Sequence, residues 1–258
     1  MAMADSSLHR FARCRGGFTA VELAVVLSVV GLLVWFVSAA FMNTEDVVDR
    51  DAAGAHAAEV RYQLRAFARI NHRLPCPDVD GDGLESLDED GLCPGGRQVG
   101  FVPYESLDMA LPGPGLAAFY GVFRAPSSDA AADADLAILA DRIGSGDPDE
   151  GPGSADFLRA LANAENVGDV DSDRIHLTGD GGAAGAIDCD DNQVRHVAHF
   201  LIVPLEDRDS SGSRLDSVHA GSNYPICAYG PATAPAHDRD DVVEIETFAG
   251  LAGWLNAN

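Results

Sequence analysis

Lysine is absent from this sequence of 258 residues, so all 17 basic residues are arginine. Against them stand 41 acidic residues, and the net charge is −24 at pH 7. An acidic surface of this kind repels the phosphates of nucleic acids and the headgroups of anionic lipids. We therefore expect no nucleic acid partner, whereas the same acidity favours the binding of divalent cations.

Known catalytic signatures are also missing. The sequence has no nucleophile elbow, metalloprotease helix, P-loop or dinucleotide-binding fingerprint. It has no Cys-x-x-Cys motif, which argues against a zinc ribbon, a thioredoxin-like site and c-type haem. The many carboxylates do not single out an acid–base pair in a chain this acidic. We predict that the protein is not an enzyme.

Charged residues are absent from residues 23–44 as well. A helix of this length is about 33 Å long, enough to cross the hydrocarbon core of a membrane. Arginines precede the run and acidic residues follow it, so the C-terminal part is expected outside the cytoplasm. The alternatives are an uncleaved signal anchor and an ordinary secretory signal, for which the run is long. The pattern predicts a single-pass transmembrane helix.

A specific motif stands just before this apolar run. Gly17, Phe18, Thr19 and Glu22 occur in that order within residues 15–22. This stretch resembles the N-terminus of type IV prepilins and of the pseudopilins of type II secretion. The resemblance implies that prepilin peptidase cleaves after Gly17 and that Phe18 becomes the methylated first residue. Glu22 is then the fifth mature residue and assists assembly.

The resemblance implies a structural subunit of a filament, whose partners are prepilin peptidase and other pilin or pseudopilin subunits. Residues 1–17 would be the leader, 18–44 the transmembrane and assembly helix, and 45–258 an exported globular domain. The mature protein would lie in the inner membrane and then in a periplasmic or cell-surface filament. Many major pilins of the family carry a proline in the apolar run, and none occurs here between Phe18 and Leu74, so the resemblance favours a minor pilin or pseudopilin. The alternative is a calcium-dependent adhesive or substrate-binding tip subunit.

Assembly gives Glu22 a physical role in this interpretation. Cleavage leaves the amine of Phe18 as a cation beside the apolar run. Burying this cation and a carboxylate separately is costly. Glu22 of a neighbouring subunit would neutralise the amine and remove both costs.

The globular part is predicted to be α+β. Apolar residues at steps of three and four indicate an amphipathic helix that Pro75 ends. They are Ala53, Ala57, Val60, Leu64, Phe67, Ile70 and Leu74. We therefore expect one long N-terminal helix, half transmembrane and half amphipathic, packed on a small antiparallel sheet with long loops. The expected strands are 116–124, 194–205, 224–229 and 242–248, and the expected short helices are 133–143 and 154–164.

Four arginines lie on one side of this helix at intervals of four residues. They are Arg61, Arg65, Arg69 and Arg73. Like charges at this spacing repel one another by a few tenths of a kcal/mol per pair. Either the row is solvated or paired with acidic groups of the same domain, or it contacts an acidic neighbour in a filament.

Four cysteines remain after the expected cleavage, which removes Cys14. An even number in an exported domain indicates two disulfides, for which three connectivities exist. We expect Cys76 to pair with Cys93 and Cys189 with Cys227.

Residues 78–89 have the spacing of an EF-hand calcium loop. Gly83 stands at position six, where the loop turns sharply. Position eight carries Glu85 in place of the usual apolar residue, and Pro75 and Pro77 prevent a helix from leading into the loop. The alternative is a solvated acidic turn. The predicted Ca²⁺ ligands are Asp78, Asp80, Asp82 and Glu89.

Overall fold

A computed structural model describes residues 19–113, 116–144, 151–179, 186–220, 226–234 and 236–257, without the side chains of 37–46. The chain divides into two compact units, 1–48 and 49–258. The predicted processing residues Gly17 and Phe18 lie outside the described residues.

The long N-terminal helix, α1, extends from Ala20 to Asn71. It ends three residues before the expected limit because His72 adopts a left-handed backbone conformation, with φ of 51°. Pro75 follows shortly after and prevents the helix from resuming.

The prediction that the first half of α1 spans a membrane is wrong. In the part of the chain that the structure describes, no helix is both long enough and apolar enough to span a membrane. The predicted single-pass inner-membrane location, and the periplasmic or cell-surface location derived from it, are corrected accordingly.

Helices and strands together make the described structure α+β. Its strands, in chain order, are β1 (Val99–Phe101), β2 (Phe119–Val122), β3 (His176–Thr178), β4 (Arg195–His196), β5 (His199–Val203), β6 (Cys227–Tyr229) and β7 (Val242–Glu246). One sheet is antiparallel and contains four strands in the order β1-β2-β5-β7. The second sheet contains three strands in the order β4-β3-β6. The expectation of one antiparallel sheet is wrong, because β3 pairs with β6 in parallel.

The strand predicted at 194–205 is split between the two sheets. β4 belongs to the three-stranded sheet and β5 to the four-stranded sheet. Between them, Ala198 donates its N–H to the Glu246 carbonyl at 2.8 Å and accepts from Phe123 N–H at 3.0 Å. His196 and His199 are both buried, and because β4 and β5 belong to different sheets, so do these two histidines.

Two further helices are α2 (Ser154–Glu165) and α3 (Phe248–Ala257). The helix predicted at 154–164 is confirmed, whereas the one predicted at 133–143 is wrong. In that segment the carboxylate of Asp133 binds Arg142, and the carboxylate of Asp135 binds Arg124. These buried ion pairs hold the backbone in an irregular path.

The amphipathic part of α1 packs on the domain through a stripe of small and branched side chains. Its fully or almost fully buried members are Ala53, Ala57, Val60, Leu64 and Ala68. Ile70, expected in this stripe, is 72% exposed, and Ala68 takes the buried position instead.

The arginine row of α1 is satisfied within the domain. Arg61 and Arg65 form ion pairs with Glu244 and Glu246 of β7. Arg73 pairs with Glu85, and the guanidinium of Arg69 lies 5.6 Å from the centre of the Trp254 ring. Pairing with acidic groups of the same domain, the first of the two interpretations, is confirmed for three of the four arginines.

Both predicted disulfides are confirmed. The Cα atoms of Cys76 and Cys93 lie 5.4 Å apart, and those of Cys189 and Cys227 lie 5.8 Å apart. Closing a loop as short as the first one contributes about 3 kcal/mol in the chain-entropy model. The second bond ties β6 to the segment that precedes β4.

His199 gives the protein a testable pH dependence. Its side chain is fully buried, and neither ring nitrogen has a hydrogen-bond partner among the described residues. Burial, with a smaller contribution from the charges of Arg65 and Arg61, lowers the pKa of His199 to about 3. Between this value and 6.5 the unfolded chain binds a proton that the folded protein does not. Stability is therefore lost as the pH falls below 6.5, at about 1.4 kcal/mol per pH unit for this group.

We expect His199→Leu to weaken the acid dependence of the free energy of unfolding between pH 6.5 and 4.5. Urea denaturation at several pH values measures this slope. His237→Leu is the matched control, because the His237 side chain is 96% exposed. Equal slopes for wild type and His199→Leu would show that His199 does not cause the acid sensitivity.

Candidate assembly helix and candidate metal sites

Thr19 and Glu22 together begin helix α1. The carboxylate of Glu22 accepts hydrogen bonds from Thr19 N–H at 2.8 Å and from the Thr19 hydroxyl at 3.0 Å. In return Glu22 N–H donates to Thr19 Oγ1 at 3.3 Å. This reciprocal arrangement is a capping box, and these hydrogen bonds lower the pKa of Glu22. The pattern Thr-x-x-Glu was visible in the sequence, but our sequence interpretation gave Glu22 only an assembly role.

The first part of α1 exposes apolar side chains in all directions around the helix. Each of twelve large apolar residues there is between 49% and 72% exposed. They are Val21, Leu23, Val25, Val26, Leu27, Val29, Val30, Leu32, Leu33, Val34, Trp35 and Phe36. We call these twelve side chains the apolar surface of α1. An apolar patch of this extent marks an interaction site, and a helix that is apolar all round is normally buried.

The first acidic cluster lies inside the loop closed by the Cys76–Cys93 disulfide. One carboxylate oxygen each from Asp78, Asp80 and Asp82 lie within 4.8 Å of one another. Asp78 is fully buried, and its Oδ2 accepts the N–H of Gly83 at 2.8 Å. Gly83 has φ of 88°, as the turn at this position requires. Burial raises the pKa of Asp78, although hydrogen bonds from Gly83 and Gly81 oppose this rise.

The structure separates the fourth predicted ligand from this cluster. Glu89 is exposed and does not belong to the group formed by Asp78, Asp80 and Asp82. Ser86, at position nine of the loop, accepts Val79 N–H through its hydroxyl at 3.0 Å. Three of the four predicted ligands therefore lie close together, and their carboxylates could hold a metal ion.

The contacts of Glu85 account for an acidic residue at position eight of the loop. It pairs with Arg73 at 2.5 Å and accepts Cys76 N–H at 2.6 Å. It therefore faces the domain and anchors the loop to the end of α1. Arg124 anchors the other side by donating to the carbonyl of Cys93 at 3.1 Å.

A second acidic cluster was missed by sequence reasoning. Carboxylate oxygens of Asp207, Asp209 and Asp216 lie within 4.8 Å of one another. Its loop repeats features of the first one: Asp207 Oδ2 accepts Gly212 N–H at 2.9 Å, and Gly212 has φ of 84°. The pattern Asp-x-Asp-x-Ser-Gly at 207–212 was the signal available in the sequence.

A third cluster contains Asp216, Asp240 and Asp241, which are 0%, 6% and 1% exposed. Burial raises the pKa of Asp216 to about 6, and the neighbouring carboxylate of Asp241 adds to the rise. Burial also raises the pKa of Asp241, against the effect of a hydrogen bond from His219. These three residues come from two segments that are distant in the sequence.

No protein-family model, no curated protein and no solved structure matches this chain.

Proposed function

We propose that this protein is a structural subunit of a filament of the type IV pilus or type II secretion pseudopilus class. The observation that carries the proposal is the apolar surface of α1, which is exposed on every side of a helix 52 residues long. A large apolar side chain contributes about 1.5–3 kcal/mol when it is fully buried. Packing the helices of several copies together buries this surface and provides the driving force for assembly.

Processing at the N-terminus belongs to the same proposal. Prepilin peptidase is the proposed partner that cleaves between Gly17 and Phe18. The mature chain then begins one residue before Thr19, whose N–H already binds Glu22. Glu22 therefore lies close in sequence to the new amine, and its exposure leaves it accessible to the amine of a neighbouring copy.

Mass spectrometry of the protein from its host tests this proposal. We expect a mature N-terminus at Phe18 and recovery of the protein with purified filaments. Gly17→Val should block cleavage, and Gly16→Val is the matched control with the same substitution one residue earlier. A mature N-terminus elsewhere, or equal processing of both variants, contradicts the proposal.

The alternative function is a calcium-dependent adhesive or substrate-binding subunit at the filament tip. The cluster of Asp78, Asp80 and Asp82 favours it, because Ca²⁺ prefers carboxylate oxygens and binds through Asp-rich loops. The number of copies per filament separates the two functions. Hundreds of copies indicate a shaft subunit, and one or a few indicate a tip subunit.

Calcium binding by this cluster is tested by calorimetry on the purified protein. Asp80→Ala removes one charged ligand and is expected to weaken binding at this site at least about tenfold, since affinity follows the number of charged ligands. Asp90→Ala is the matched control, because Asp90 is exposed in the same disulfide loop but lies outside the cluster. Identical binding by wild type and Asp80→Ala would leave this loop as a solvated turn.

A further inference from the structure

The third acidic cluster is buried more deeply than a solvated acidic turn would be. Asp216, Asp240 and Asp241 are each less than 10% exposed, and one oxygen from each lies within 4.8 Å of the others. Carboxylates this close repel one another, and burial strengthens the repulsion. Positive charge beside the three carboxylates would relieve this repulsion.

Among the described residues, one arginine forms an ion pair with a carboxylate of this cluster. Arg208 pairs with Asp240 through Nε at 2.6 Å, and Arg50 donates to the Asp240 carbonyl at 2.9 Å. His219 Nε2 accepts Tyr229 N–H at 3.4 Å, and His219 Nδ1 lies 2.7 Å from Asp241 Oδ2. Arg208 therefore pairs with a carboxylate of this cluster, whereas Arg50 binds a backbone carbonyl beside it.

One oxygen of this cluster is unsatisfied. Asp241 Oδ2 accepts hydrogen bonds from His219 and from Asp216 N–H, whereas Asp241 Oδ1 is buried without a partner in the described part of the chain. A buried carboxylate oxygen without a donor is costly. A cation beside Oδ1 would remove this cost.

The other two carboxylates retain coordination capacity. From the described residues, Asp216 Oδ2 accepts one hydrogen bond, from Asp240 N–H at 3.1 Å, and Asp240 Oδ1 accepts one, from Glu206 N–H at 3.4 Å. Each oxygen of an ionised carboxylate has about two acceptor positions. Each of these two oxygens therefore has a position left for a metal ion.

We propose that Asp216, Asp240 and Asp241 form a second divalent-cation site, separate from the loop at Asp78, and that its ion is Ca²⁺. Three oxygen ligands and no nitrogen or sulfur ligand select a hard cation over zinc or copper. Ca²⁺ takes six to eight oxygens in flexible geometry, which suits a site adjoining the second acidic cluster through the shared Asp216. The ion would join the 207–216 loop to the segment that leads into β7.

Calcium titration of the full-length protein, stripped with a chelator and carrying Asp80→Ala, isolates this site from the Asp78 loop. We expect about one equivalent of Ca²⁺ to bind, and Asp241→Asn in the same background to weaken that binding at least about tenfold. Asp238→Asn is the matched control, because it makes the same change three residues earlier, at a side chain that is 41% exposed. Circular dichroism verifies that each variant is folded.

Absence of binding in the Asp80→Ala background at millimolar Ca²⁺, or equal binding by Asp241→Asn, overturns the proposal. If Asp241→Asn does not fold, crystals of the wild-type protein grown with CaCl2 decide. An ion at about 2.3–2.6 Å from Asp241 Oδ1 supports the site, and a water molecule at that position overturns it. Failure of this site leaves both the filament proposal and the Asp78 site unaffected, because neither uses these residues.

Discussion

Asp135→Ala is expected to lower the free energy of unfolding by about 3–5 kcal/mol, because it leaves a buried arginine unpaired. The side chains of Arg124 and Asp135 are only 3% and 1% exposed. Arg124 Nε and Nη2 both bind the Asp135 carboxylate, at distances of 2.8–3.0 Å. The same guanidinium donates to the carbonyls of Cys93, Pro94 and Arg97. The loss therefore also loosens the loop that carries the Asp78 cluster.

Urea denaturation measures this effect. Glu206→Ala is the matched control, because the Glu206 side chain is 68% exposed and lies 3.4 Å from Arg208. An exposed pair contributes about 0–1 kcal/mol, so the control should change stability little. The double variant Arg124→Met with Asp135→Leu should be more stable than Asp135→Ala, because no unpaired charge remains. A loss below about 1 kcal/mol for Asp135→Ala would contradict the importance of this buried pair.

Glu22→Gln is expected to reduce incorporation into filaments at least about tenfold if Glu22 neutralises the amine of a neighbouring Phe18, since that corresponds to about 1.4 kcal/mol per contact. Glutamine keeps the length of the side chain and is accepted at this position of a capping box. The substitution therefore removes the charge and preserves the start of helix α1. Quantification of the variant in purified filaments against its total amount measures the effect.

Thr19→Ala is the complementary variant. It removes the Thr19 hydroxyl, which donates to the Glu22 carboxylate and accepts from Glu22 N–H, but it keeps the carboxylate itself. We expect cleavage and incorporation to persist, with a helix start weakened by about 0.5–2 kcal/mol. The reverse result, in which Thr19→Ala fails to assemble and Glu22→Gln assembles normally, would assign Glu22 to helix capping alone.

Local patterns predicted the elements whose stabilising contacts are close in sequence. The spacing of apolar residues predicted the amphipathic part of α1, and Ala53, Ala57, Val60 and Leu64 are buried as expected. Helix α2 and the grouping of Asp78, Asp80 and Asp82 were predicted for the same reason. In that loop Asp78 accepts N–H groups from residues no more than five positions away. Both predicted disulfides also pair cysteines that are consecutive among the four in the sequence.

Composition predicted the structure of a segment less well where that structure depends on which side chains are buried. The segment 194–205 is mostly apolar, and all of β5 is buried although Arg195 of β4 is exposed; such a pattern does not reveal a change of sheet. The segment 133–143 has a helical composition, yet Asp133 and Asp135 are committed to buried ion pairs. The apolar run of α1 likewise predicted a membrane span that the described residues do not contain.

The sequence by itself determined the acidic, cysteine-paired character of the domain, the course of α1 and the first acidic loop, because helix periodicity and short turns depend on nearby residues. Only the tertiary structure decided the two-sheet arrangement, the partners of the arginine row and the third acidic cluster. Asp241 reaches Asp216 and His219 from more than twenty positions away in the sequence. No periodicity or spacing encodes such a contact, since it depends on the folding of the 207–216 loop against the segment that leads into β7.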